Sequence, residues 1–170
     1  MANTLKPYLD CIENTLNCVL TIHNFPSESI ERHNKPEVEI RSSKFSVSKP
    51  ILICRTERER CLIERSINSV RVSLKIKQVD NLEEILCKTF TRFLMRRAEQ
   101  FIILRRKAID DYDISFLITN VHLEAFKKRQ LISFIIQFME EIDKEISAMK
   151  IGVNARARLV ATNFMKSMAY

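Results

Sequence analysis

At 170 residues the chain has room for one domain with a real core, and 46% apolar and 29% charged residues make it globular rather than disordered. A single glycine, Gly152, excludes phosphate-cradling loops, dinucleotide-binding turns and nucleophile elbows, which need glycine where backbone meets ligand or adopts positive φ. The net charge of +7 favours acidic partners: nucleic acid, anionic lipid or an acidic protein.

Residues 4–23 predict a helix, with Leu5, Leu9, Ile12, Leu16, Val19 and Leu20 on one face and Pro7 in the first turn. Asn24-Phe25-Pro26-Ser27 ends it, and a polar loop runs to Pro36. Three strand-like stretches follow, at 37–41, 50–55 and 61–77. In the last, Val70, Val72, Leu74 and Ile76 alternate with Arg71, Ser73, Lys75 and Lys77, as in an antiparallel sheet with one wet face. Asp80-Asn81-Leu82-Glu83 has the spacing of a capping box and opens a helix reaching about Ala98. Two more strands are predicted at 100–105 and 113–119, joined by a hairpin connection at 107–112.

From 121 to 150 there is neither proline nor glycine, which predicts one continuous helix of roughly 45 Å. Gly152 is expected to break it, and Asn154 to cap a last helix ending near Met168. The order is α-β(3)-α-β(2)-α with a short terminal helix, a two-layer α+β arrangement on an antiparallel sheet. Residues 1–120 supply the sheet part and 121–170 the helical part of what reads as a single domain.

Leu131, Ile135, Phe138, Ile142, Ile146 and Met149 recur every three or four residues and fall within about an 80° stripe. A helix of about 45 Å is long for a domain whose radius of gyration is near 15 Å. Either part of the stripe meets another chain, or the helix kinks and folds back into its own core. The first reading is preferred, and it makes these six residues a partner interface.

Catalytic signals are absent. Asp110, Asp111 and Asp113 surround Tyr112 and read as turn formers, while Ser, His and Asp elsewhere are scattered. The cysteines, Cys11, Cys18, Cys54, Cys61 and Cys87, form no C-x-x-C pair and read as free thiols of a cytoplasmic protein. His23, His33 and His122 lie in unrelated segments, so neither metal nor cofactor is expected. The N-terminus lacks a signal pattern, and the longest apolar stretch, 131–138, is far short of the about 20 residues that span a bilayer.

Positive charge clusters in three places: Arg92, Arg96, Arg97, Arg105, Arg106 and Lys107; Lys127-Lys128-Arg129; and Lys150, Arg156, Arg158 and Lys166, a stretch without any acid. Nucleic acid is disfavoured, because tryptophan is absent and the aromatics lie at core spacing. Arg105-Arg106-Lys107 is compatible with a phosphoinositide headgroup.

Five strings are specific: residues 31–39, with Arg32-His33-Asn34-Lys35-Pro36; residues 66–73, with Ile67-Asn68-Ser69-Val70; residues 112–120; residues 138–147; and Val153-Asn154-Ala155-Arg156-Ala157-Arg158. In order and over essentially the whole length, the chain resembles the 20 kDa subunit family of the actin-related protein 2/3 complex. That resemblance implies a non-enzymatic subunit of the actin cytoskeleton. It implies pairing with the larger, thirty-four-kilodalton subunit through long C-terminal helices, a core holding the two actin-related proteins, and contact with the mother actin filament. It nominates Lys150, Arg156, Arg158 and Lys166 first for filament contact, then Arg105 and Arg106, then Arg55 and Arg58. The stretch 41–50, with Phe45-Ser46-Val47-Ser48, departs from the leucine-rich version expected of the family.

Overall fold

A computed structural model describes residues 5–20, 38, 49–66, 68–96, 98, 101–105 and 107–168. In chain order the elements are α1 (Leu5–Val19), β1 (Ile51–Thr56), β2 (Glu59–Arg65), β3 (Ser69–Lys75), α2 (Asn81–Arg96), β4 (Ile114–Thr119), α3 (Asn120–Ala125) and α4 (Lys128–Met168). The four strands form one antiparallel sheet in the order β1-β2-β3-β4, so each strand neighbours the next in sequence.

Alternation decides which face is dry. Cys61 and Ile63 of β2, Val70, Val72 and Leu74 of β3, and Ile114, Phe116 and Ile118 of β4 are buried, and the register aligns them: Ile63 opposite Val72, Val72 opposite Phe116. Helices α1 and α4 cover this face through Ile12 and Leu16 and through Leu131, Ile135, Phe138 and Ile142. Phe116 meets Phe138 edge-on with centroids 5.1 Å apart, and Phe101 and Phe134 extend the ring cluster. Such pairs contribute about 0.5–1.5 kcal/mol each beyond their buried area.

The other sheet face is polar near its centre. Ser73 and Ser115 hydroxyls are 2.9 Å apart, and Arg71 donates to Glu64 at 2.8 Å. Arg60 and Lys75 both pair with Asp111, which holds a positive φ of 71° in the turn before β4. Asp113 accepts the Ile76 N–H at 2.9 Å, tying the end of β3 to the start of β4.

The α+β class and the antiparallel sheet agree with the sequence pattern; several details do not. The stretch 61–77 is two strands, because Ser66, Asn68 and Ser69 turn the chain with a buried side-chain network. The expected strand at 100–105 is an edge segment with a single bridge, Leu104 to Phe116, plus backbone bonds from Arg105 to Ser115 and from Leu117 to Ile103. The strand expected at 37–41 lies outside the described residues apart from Val38.

The helical part is corrected most. The chain breaks at Phe126, whose φ of −125° and ψ of 141° are extended, not at Gly152. From Lys128, α4 runs 41 residues to Met168 without interruption, so there is no separate terminal helix. One glycine costs a helix only about 1 kcal/mol. Its neighbours Ala155, Arg156, Ala157, Arg158 and Leu159 are strong helix formers, and a Cβ at Gly152 would meet nothing within 4 Å.

Candidate functional site: an uncovered stretch of the long helix

At 1.5 Å per residue α4 is about 60 Å long, longer than its own domain can cover. Its first half is thoroughly packed. Ile135 is fully buried, Ile142 and Ile146 are 4% and 5% exposed, and Met149 is partly buried. The six residues expected to face a partner, Leu131, Ile135, Phe138, Ile142, Ile146 and Met149, therefore serve this chain's own core. A spacing pattern marks a face that must be covered, and it does not say by which chain.

Beyond Lys150 the situation reverses. Every residue from 151 to 166 is exposed, including Val160 at 67% and Phe164 at 61%. At 100° per residue, Val153, Ala157, Val160 and Phe164 fall within about 60° and directly continue the buried stripe. Arg158 and Lys166 lie on the far side, about 140° from the stripe's centre, while Arg156 borders it. The sequence alone does not single out these apolar residues, because Gly152 reads as a stop; the same three-and-four spacing runs straight through it.

The predicted cations separate into two groups. Arg156, Arg158 and Lys166 stand on the uncovered stretch. Of the others, Arg55, Arg58, Lys150 and Arg105 belong to the domain itself. Arg55 pairs with Glu59 at 3.1 Å, and burial lifts that carboxyl above its ordinary range while Arg55 opposes the rise. Arg58 donates to the Gln78 and Val79 carbonyls. Lys150 donates to Asp80 at 2.6 Å and to Glu83 at 2.8 Å, next to the same segment. Arg105 lines a cleft on the polar sheet face, and Arg106 lies outside the described residues.

That cleft, about 630 Å³, is bounded by Arg71, Arg105, Lys107, Ile109, Ser115 and the 101–104 segment, and among the described residues no histidine, cysteine or carboxylate lines it. Its one hydroxyl, Ser115, already faces Ser73. Burial pushes the Cys61 and Tyr8 protons to well above their ordinary values and the Cys87 thiol up to about 12, which leaves those groups unreactive. Among the described residues, no group of His, Cys, Asp or Glu is placed to hold a metal ion, and no helix is long and apolar enough to cross a membrane.

Fold and site together define an α+β domain from which an amphipathic helix projects past its own core. Across residues 1–167 the chain matches the model of the ARP2/3 complex 20 kDa subunit family (ARPC4), and it belongs to that family. It is 54% identical over 169 residues to actin-related protein 2/3 complex subunit 4 of Dictyostelium discoideum, covering 99% of this chain and all of that one. To the subunit of the same name from Saccharomyces cerevisiae it is 51% identical over 171 residues, with both chains fully covered.

Proposed function

We propose that the chain is a structural subunit of the ARP2/3 complex without catalytic activity, and that it pairs with the complex's larger, thirty-four-kilodalton subunit. In this reading the pair forms the core that carries the two actin-related proteins, contacts the mother actin filament and supports nucleation of branched filaments. The observation that carries it is the apolar stripe of α4, which leaves the domain and continues uncovered through Val153, Ala157, Val160 and Phe164. A partner helix laid along that stripe would bury it as a seam of the coiled-coil type. With that side taken, Arg158 and Lys166 on the opposite side stay open to an acidic filament.

Co-expression with that larger subunit followed by size-exclusion chromatography tests this. The expected result is a one-to-one heterodimer that is lost with Val160→Asp/Phe164→Asp. Burying a valine or phenylalanine side chain contributes about 1.5–3 kcal/mol, so the double change should weaken pairing by at least about a hundredfold. Ile142→Asp is the control for misfolding, since that residue lies in the chain's own core. A wild-type chain that ignores the larger subunit would overturn the proposal.

A further inference from the structure

Residues 149 and 150 are the last that the domain covers before the exposed run 151–166, and Gly152, the softest helical position, follows at once. At this exit one side chain reaches back. Lys150 Nζ donates to Asp80 Oδ2 at 2.6 Å and to Glu83 Oε1 at 2.8 Å, although those acids lie 70 and 67 residues away in sequence. Both are already fixed. The Glu83 N–H donates to Asp80 Oδ1 at 2.8 Å, and the Val79 N–H donates to Glu83 Oε2 at 2.7 Å, so the acids cap the N-terminus of α2. The lysine therefore grips a rigid corner, with its side chain only 28% exposed.

We infer that Lys150 is a positioning residue that sets the direction in which the uncovered part of α4 leaves the domain, by clamping the helix exit to the cap of α2. Its task differs from that of Arg158 and Lys166, which stand two to four turns further out on the exposed stretch. The leverage is large. The stretch beyond Lys150, residues 151–168, spans about 27 Å, so a swing of about 20° at the exit moves the helix end by about 9 Å. Two charge-assisted bonds to one ammonium suit such a task because they fix an angle as well as a distance. In keeping with this, the lysine holds both carboxyls below their ordinary range.

The clamp lies wholly within this chain and is independent of which partner covers the stripe. Spin labels at Arg92→Cys on α2 and Asn163→Cys on α4 report the angle, with the exposed Cys11, Cys18 and Cys54 replaced by serine in the full-length chain. The unclamped reference, Lys150→Met, should broaden the inter-label distance distribution severalfold, and Lys150→Arg should restore it. Asp80→Asn/Glu83→Gln keeps both capping groups but removes their charge. It should broaden the distribution as Lys150→Met does, with helix content unchanged by circular dichroism. A distribution that stays narrow in Lys150→Met, or in the double variant, would overturn the assignment.

Discussion

His122 sits at the third position of α3, and its Nδ1 accepts the Thr119 N–H at 3.0 Å, where a capping box ordinarily places Glu or Gln. Only the unprotonated nitrogen can accept. Burial, with Arg105 adding to it, holds this imidazole below its ordinary value of 6.5. A depressed folded-state value means that the neutral form is the one the fold favours. Its stability is complete above the unfolded value of about 6.5 and is lost as pH falls through the lower folded value. Denaturant titrations should show less stability at pH 5 than at pH 7.5, and His122→Gln should flatten that difference while keeping the cap. This role was not legible in the sequence, because a histidine at a cap looks like any lone histidine. The Asp80–Glu83 cap was legible, since its acid pair has the three-residue spacing of a capping box, although the N–H that Glu83 accepts is that of Val79. The grip of Lys150 on that cap was not, because nothing in local spacing links positions 67 and 70 residues apart.

Helix α4 tests how far local preference governs an element. Its apolar spacing was readable, but its ends were not, for two different reasons. Position 126 carries no breaker residue, yet the chain turns there so that Phe126 lines an apolar recess with Ile102, Ile103, Leu131 and Phe134. Position 152 carries a breaker, yet nothing around Gly152 rewards a turn. At 126 tertiary packing overrides local preference, while at 152 the strong helix formers that follow outweigh a single glycine's cost of about 1 kcal/mol. Gly152→Ala should therefore stabilise the chain by about 0.5–1 kcal/mol, read as a raised denaturation midpoint at unchanged slope. Gly152→Pro should instead cost about 3 kcal/mol of helix and lower the circular-dichroism signal of the helix. The split of 61–77 belongs here too. Alternation over 70–76 was plain, while the turn rests on buried hydroxyl and amide contacts among Ser66, Asn68 and Ser69 that resemble any polar stretch.

On the projecting helix, Arg158 and Lys166 stand away from the stripe of Val153, Ala157, Val160 and Phe164, on a side they share with the exposed Ile151, Leu159 and Met165. Within the complex, Arg158→Glu/Lys166→Glu should leave subunit composition intact and lower co-sedimentation with actin filaments. The deficit should shrink as salt rises, because the screening length falls from about 10 Å at 0.1 M to about 3 Å at 1 M. Glu substitution at Arg55 should act differently. It would strand the buried Glu59 beside a second carboxylate and cost stability before any filament effect could be read. The sheet's own core was legible because alternation over a few residues fixes which side chains turn inward. Which part of α4 that core would cover depends on the domain's width, a property no local pattern carries. The continuity of α4 has one more consequence. A free peptide as short as the stretch beyond Lys150 is marginal as a helix in water, chiefly because its first turn is so costly to form. Here that turn never has to be formed in the open: the helix is initiated inside the core and simply lengthens outward. The domain thus acts as a template, presenting its outer turns already wound before anything else touches them.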